Sequence, residues 1–586
     1  MSVPPRWTRI GRVTELSGAG PHAANARGLE LVVVRTASGL KAFEGRCPHQ
    51  GALLGEGELD GETLTCRNHR WRFSVETGRR DGGPECLREC PVREHEGEVQ
   101  ADVSALVVDA EAPPRPRRKV RDLPGPPRLP LLGSAHLLEP TRLHQQLEGW
   151  AREHGTPFTY GFGRRHVVVF SDLDAIESVL RERPSLFRRP SNLEQVFTEL
   201  GVAGVFSAEG AAWRPQRRLS MEALSQRHVR GFYPTLVGVA ERLRARWLRA
   251  AESGEVVDLC EELKRFTVDV TTQLVFGYDL DTLGKGDDVI QRKLELLFPA
   301  FNRRLFSVVP WWRWFRLPAD RKVERVVAEL RVWLTELVGE TRARLATEPE
   351  RAARPGNFLE AMLVARDENG EPFSDDVILG NSLTMLLAGE DTTAYTLAWA
   401  VHELLEAPRE ADALRRELDE ALGTAVVPRE IEAANRLTYA GAIANETMRL
   451  RSVAPLLFLE PLADTVIEDV QIPKGTFLVL LTRRAAMSSK SFGAPDEFRP
   501  RRWVDASDTG GAHEPGAHLP FGSGPRICPG RSLALLEMKV VLATIYQSFD
   551  IERVGAASDV REVLSFTMYP EGLRVRLRAR ERRAET

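Results

Sequence analysis

From Trp7 to about Asp109 the apolar positions come in short bursts broken by turn residues, the pattern of β-strands rather than helices. Leu29 to Arg35 is apolar and β-branched, Ser38-Gly39 supplies a hairpin turn, and Leu40 to Phe43 follows as the partner strand. Further strands are predicted through Leu64 to Cys66 and through Trp71 to Val75, the latter closed by Thr77-Gly78. The pattern then stops. Glu111 to Arg121 is rich in proline and positive charge with nothing to bury, which predicts an extended, semi-rigid linker. Beyond Leu123 helical periodicity dominates, with strand-like stretches at Arg165 to Phe170 and Thr476 to Thr482. A long helical run is expected from about Val377 to Glu406, interrupted at Ala388-Gly-Glu-Asp391-Thr392-Thr393. There is no internal repeat.

Composition narrows the class without naming it. A chain of 586 residues exceeds one ordinary core, so a small unit and a large one are expected. A net charge of −3 makes no demand for nucleic acid. No apolar run approaches the roughly 18–20 residues that span a bilayer, so no membrane anchor is expected. Six cysteines are too few for a disulfide scaffold at this length, which favours a reducing cytoplasm.

The chemistry is concentrated in two places. Cys47-Pro-His49 and Cys66-Arg-Asn-His69 each pair a thiolate with an imidazole, a donor set that suits zinc or an iron–sulfur centre. Cys47-Pro-His-Gln-Gly-Ala-Leu-Leu54 and Cys66-Arg-Asn-His-Arg-Trp-Arg-Phe-Ser-Val-Glu-Thr-Gly78 resemble the two cluster loops of Rieske ferredoxins. The resemblance implies a small all-β domain in which Cys47, His49, Cys66 and His69 hold a [2Fe–2S] cluster. One position departs: that family usually has glycine after the second histidine, and Arg70 stands here, altering the packing or raising the positive charge beside the cluster. Cys86 and Cys90 are read as packing residues or free thiols.

The second centre is Phe521-Gly-Ser-Gly524-Pro-Arg526-Ile-Cys528-Pro-Gly530, a cysteine on a glycine-rich loop leading into a helix. This string resembles the haem-thiolate loop of cytochromes P450, and Leu123-Pro-Gly-Pro-Pro-Arg-Leu-Pro130 resembles their proline-rich hinge. The resemblance implies a large, mainly α fold with minor β-sheets and haem b ligated by Cys528. It also implies that Arg526 pairs with a haem propionate, with His518 close by. Trp213-Arg-Pro-Gln-Arg217 resembles the family's Trp-x-x-x-Arg helix, whose indole and guanidinium reach the propionates. Glu446-Thr-Met-Arg449 and Arg502 resemble its buried structural triad. Asp391 and Thr392 resemble the acid–alcohol pair that relays protons over the distal face.

The expected organisation is therefore a Rieske-like domain over residues 1–110, a linker over 111–122 and a P450-like domain over 123–586. The expected activity is monooxygenation, with electrons passing from the cluster to the haem. No Gly-x-Gly-x-x-Gly follows a strand, so a separate NAD(P)H-dependent flavoprotein reductase is expected as electron source. Dioxygen and a small apolar organic molecule are the expected substrates, the latter met by Pro190 to Ser207 and residues beside Ala388. Acidic Glu56, Glu58, Asp60 and Glu62 face a prospective docking set of Arg214, Arg217, Arg218, Arg531 and Lys539, with Arg67, Arg70 and Arg72 opposing. Three rivals carry weight. His513-Glu-Pro-Gly-Ala-His518 resembles part of a non-haem iron site, but Gly510 stands where an acid is needed. A redox or gas sensor lacks a recognisable output domain, and a relic cluster conflicts with complete Cys/His ligation.

Overall fold

The computed structural model describes residues 7–580, apart from 17, 19, 38, 69, 105, 107–116, 164, 286–291, 294–295, 306, 308–309, 368–369 and 506. The expected ligand His69 and the proline-rich stretch 107–116 lie outside the described residues.

Among the described residues the small domain is built from ten strands. β1 (Trp7–Arg12), β10 (Glu98–Asp102) and β9 (Val92–His95) form one sheet; β2 (His22–Ala26), β3 (Leu29–Thr36), β4 (Gly39–Glu44) and β8 (Glu89–Cys90) form a second. β5 (Glu58–Asp60), β6 (Thr63–Thr65) and β7 (Arg72–Ser74) make a third, antiparallel throughout. β3 explains the unbroken apolar run in its sequence. Val32 and Val34 enter a core with Phe43, Leu54, Leu64 and Phe73, while Leu31 and Val33 enter another with Ala26, Ala42 and Ala101. Alternate side chains point to opposite faces, and here both faces are buried.

In the large domain the predicted strand Arg165 to Phe170 forms over those residues as β12. With β11 (Phe158–Phe162), β13 (Phe187–Arg188), β14 (Leu457–Pro461) and β15 (Phe477–Leu480) it makes a sheet ordered β11-β12-β15-β14-β13. Five helices position the site: α1 (Trp213–Ala223), α2 (Leu259–Phe276), α3 (Asp375–Glu406), α4 (Thr438–Leu450) and α5 (Arg531–Ser548). α3 begins where Ser374 accepts from the Val377 N–H, and Asp375 and Asp376 complement the helix dipole in its first turn. It is buried on almost every side, the mark of a central core helix.

Two expectations are corrected. α3 is not interrupted at Ala388 to Thr393; it runs unbroken. Gly389 sits where an added Cβ would meet Thr271 of α2 at 2.5 Å, so the glycine serves close helix packing rather than a break. The linker is also shorter than composition suggests. Arg118 and Lys119 pair with Val470 and Gln471 of the large domain, and the Arg118 guanidinium holds both Asp469 oxygens at 2.6–3.1 Å. Among the described residues no helix is long and apolar enough to cross a membrane.

Candidate functional site

Cys47 and Cys66 leave their strands on two loops and bury their thiols side by side, 3% and 1% exposed. Contact with Cys66, together with burial, pushes the Cys47 thiol far above its usual range. The backbone N–H groups of His49 and Gln50 donate toward the Cys47 sulfur. The His49 ring stacks on Trp71, centroids 4.3 Å apart and planes 6° from parallel. Arg70 has a φ of 60°, the left-handed conformation that a residue without Cβ adopts at least cost. That is the physical reason for glycine at this place in related sequences. Here the guanidinium reaches Glu58 at 2.9 Å. Cys90 is buried, Cys86 exposed, and both are free thiols.

Cys528 lies just before α5, on the loop closed by its own N–H bond to the Phe521 carbonyl, 2.9 Å. The N–H groups of Gly530 and Arg531 point at its sulfur, while burial raises its pKa. The side chain is nonetheless accessible. Around it stand more buried cations than anions. Arg526 pairs with Glu209 at 2.9 Å and lies 4.8 Å from the Trp213 ring centroid. Arg183 is 4% exposed, and its Nε and Nη2 make no hydrogen bond. Burial lowers Arg183 to about 9, Arg189 to about 10 and Arg526 to about 8. Arg183 and Arg189 carry no motif, so sequence reading missed them. His518 packs on Trp503 with ring centroids 4.8 Å apart, and Trp503 also meets His513.

On α3, Ala388 is exposed and Gly389 and Thr392 half-buried while their neighbours are buried, so this stretch lines a cleft. The Thr392 hydroxyl donates to the Ala388 carbonyl at 2.9 Å. Asp391 is buried, and desolvation raises its carboxyl to about 6 against the opposing pull of Lys264, Tyr395 and Thr567. Glu446, Arg449 and Arg502 come together in the core at 0%, 0% and 2% exposure. The carboxylate takes Arg449 through both oxygens at 2.9 Å, Arg502 at 3.1 Å and the Trp503 indole at 2.8 Å. Arg449 and Arg502 spend their remaining N–H groups on carbonyls such as Pro495 and Gly493. Of the apolar residues expected to meet a guest, Val196, Phe197 and Val202 lie in the main core and Phe206 at its edge.

The two cysteine loops meet. The Gln50 carbonyl, in the first loop of the small domain, accepts from the Gly524 N–H and the Ser523 hydroxyl, each at 3.0 Å. The Gln50 amide donates to the Gly516 carbonyl at 3.0 Å, and Asn68 donates to Gln50 at 3.0 Å. Arg531 donates to the Asn68 carbonyl and side-chain oxygen. A small cleft at this seam is lined by Glu56, Arg67 and Asn68 from one domain and Arg217, Cys528 and Arg531 from the other. Arg217 is engaged here and not with the Trp213–Arg526 group. It grips Glu56 through two bonds at 2.9 and 3.0 Å and the Ile527 carbonyl at 2.6 Å. Arg214 pairs with Glu30. Arg67 does not oppose docking: it donates to the Met221 and Leu224 carbonyls at the end of α1, where a cation is favoured. Lys539 is not part of the seam; it reaches the Asn435 carbonyl.

Residues 123–575 match the cytochrome P450 family, and residues 6–94 match the Rieske [2Fe-2S] domain. The chain is 26% identical over 474 residues to a bifunctional cytochrome P450/NADPH–P450 reductase of Gibberella moniliformis, covering 79% of this chain and 41% of that one. It is 27% identical over 448 residues to cytochrome P450 93B2 of Gerbera hybrida, covering 74% and 86%. Among solved structures it resembles the haem domain of cytochrome P450DA, with a TM-score of 0.69 and 27% identity over 78% of this chain and 98% of that one.

Proposed function

The chain belongs to the cytochrome P450 family, with a Rieske [2Fe–2S] domain ahead of the haem domain, and from that premise we propose a monooxygenase whose fused cluster domain delivers the electrons. Its cofactors are a Cys-ligated haem and a [2Fe–2S] cluster. The residues fit both groups. Two backbone N–H donors aim at Cys47 and two at Cys528, the contacts by which protein tunes a metal-bound thiolate. Buried Arg183 and Arg526, with half-buried Arg189, leave positive charge that Glu209 alone does not balance, which suits the two haem carboxylates. When bound, the cluster supplies single electrons and the haem activates dioxygen for insertion of one atom into an organic substrate, the other leaving as water.

The chain's own groups then have separable tasks. Cys528 would hold the haem iron, and Cys47, His49, Cys66 and His69 would hold the cluster. Trp213 keeps Arg526 in place by stacking, and His518 closes the loop ahead of the thiolate. A carboxyl titrating near 6 can both hold and release a proton at neutral pH, so Asp391 supplies protons and Thr392 passes them on. Glu446, Arg449 and Arg502 fix the backbone between residues 486 and 509, ahead of the haem loop, and take no part in the chemistry. The exposed stretch of α3 around Ala388, with Phe206 and Phe566 meeting edge to face, favours an apolar guest. Electrons come from a separate NAD(P)H-dependent flavoprotein, and free thiols at Cys86, Cys90 and Cys260 favour a reducing cytoplasm.

The single observation carrying this reading is the Gln50 carbonyl bonded to Gly524 and Ser523, which puts a cluster loop against the thiolate loop. The test starts from purified holoprotein with both centres verified by reduced-CO absorbance and low-temperature EPR. Haem reduction is followed in wild type and in Cys66→Ser loaded with haem only. A large loss of reductase-driven haem reduction is expected in the variant. Equal rates would show that another donor serves the haem directly, and the proposal would fall.

A further inference from the structure

An electron carrier held between donor and acceptor needs two accessible edges, and among the described residues one edge of the docked domain makes no bond to the haem domain. The haem domain covers the cluster at Gln50 and Asn68, 4% and 9% exposed. The other edge is built as a stack running outward from a cluster ligand. His49 lies flat on Trp71 at 4.3 Å, and the Arg80 guanidinium carbon sits 3.7 Å from the centre of the Trp71 ring. Arg80 is fixed by Glu85 at 2.9 Å, and the two side chains remain 22% and 30% exposed. Trp71 is itself half-buried, so the stack reaches the surface. Neither Trp71, Arg80 nor Glu85 bonds to the haem domain among the described residues. Exposed Arg72 and Arg79 lie on the same segment, and among the described residues neither forms an ion pair. On residues 71–85, Arg72 and Arg79 outnumber Asp81 as exposed charges without an ion pair among the described residues, and exposed Glu514 of the haem domain bounds this edge on the His49 side.

We propose that the external donor, a reduced flavoprotein with an acidic docking face, binds over the Trp71–Arg80 edge and passes its electron to the cluster there, without displacing the haem domain. This rests on the reading of the fused domain as the electron carrier. Each transfer oxidises the donor flavin by one electron and reduces the cluster by one, with no bond made or broken. Trp71 touches a cluster ligand and shortens the gap; Arg80 is a positioning residue that holds the indole and meets the partner's acids.

The experiment uses the full-length holoprotein, wild type, Arg80→Glu and Trp71→Leu, with two probes in stopped flow. One is a purified NADH-dependent flavoprotein ferredoxin reductase; the other is methyl viologen radical, small enough to reach any edge. Arg80→Glu is expected to slow cluster reduction by the flavoprotein at least tenfold at low salt. Its reduction by viologen, its EPR g-values and its cluster-to-haem rate should stay unchanged. Trp71→Leu should slow the flavoprotein reaction as well, again with an unaltered EPR signal. An unchanged flavoprotein rate in Arg80→Glu overturns the proposal, as does a loss shared equally by both probes. A greater loss in Asn68→Ala than in Arg80→Glu would also overturn it, placing the donor at the haem-facing edge. If the cluster reduces normally and the haem never does, the monooxygenase electron route fails instead, while this docking face stands.

Discussion

Replacing Glu56 by Gln tests whether the seam between the domains is held by energy or only by the tether. The Glu56–Arg217 pair is bidentate, with side chains 14% and 4% exposed. Arg217 spends its third N–H on the Ile527 carbonyl. Breaking a buried pair from one side costs about 3–5 kcal/mol, because the partner charge stays desolvated. Gln keeps one acceptor, so a loss of about 2–3 kcal/mol in docking is expected, roughly 30- to 150-fold in the docked-to-undocked ratio. The exposed Glu58–Arg70 pair, 38% and 57% exposed, is the control; Glu58→Gln should change docking by less than about 0.5 kcal/mol. Laser-flash photoreduction of the cluster followed by haem absorbance reads the transfer. Wild type should show one fast phase independent of protein concentration. Glu56→Gln should lose much of that amplitude to a slower, salt-dependent phase. A double-mutant cycle with Arg217→Gln should return a coupling of at least about 1.5 kcal/mol. If Glu56→Gln behaves like Glu58→Gln and the coupling is near zero, the buried-pair argument is wrong.

Three further outcomes follow from the geometry. Asp391 holds its proton more tightly folded, near 6, than the ordinary 3.8, so its contribution to stability is full below about pH 4 and is lost as pH rises through 6. Asp391→Asn should therefore raise the melting temperature above pH 7 by an amount worth up to about 3 kcal/mol, vanishing below pH 4, while peroxide release per NAD(P)H rises; equal melting curves at both pH values would refute it. Arg70→Gly relieves an L-residue held at a φ of 60°; a gain of up to about 1 kcal/mol is expected in chemical denaturation of the small domain, after loss of the exposed Glu58 pair. Arg183→Met removes a buried guanidinium with unmet donors, so the haem-free protein should gain about 1–3 kcal/mol. Its haem affinity should fall at least tenfold in transfer to apomyoglobin. Haem affinity that stays level would detach Arg183 from the cofactor.

What the sequence disclosed was what lies close together along it. Cys47 and His49 share a loop, as do Arg526 and Cys528, so ligand type and spacing name the chemistry before any fold is known. The strand Leu29 to Arg35 was legible because both of its faces are buried. Arg217 was legible both as a member of a helix motif and in the docking set placed against the acidic stretch that holds Glu56; what stayed hidden was that this engagement takes it away from the Trp213–Arg526 group. Its partner Glu56 belongs to the other domain. Arg183 and Arg189 left no mark, because an arginine destined for a buried site is written like one on the surface. Gly389 misled: the residue that loosens a helix is also the residue that lets α2 approach α3.

The seam changes what the fusion means. A tether alone gives an effective concentration on the order of millimolar, which docks a weakly binding domain only part of the time. Here both cluster loops are tied by main-chain groups, Gln50 to Gly524 and Asn68 to Arg531, that no long-range steering could align. Backbone carbonyls carry no net charge, so salt screens these bonds little; the charged pair at Glu56 and Arg217 is shielded by its own burial. Arg67 adds the end of α1, and Arg214 adds Glu30. The cluster domain is therefore held on the haem domain as a fixed unit rather than as a diffusing carrier on a leash, and under the proposed electron route the contact left to vary is the one with an external donor.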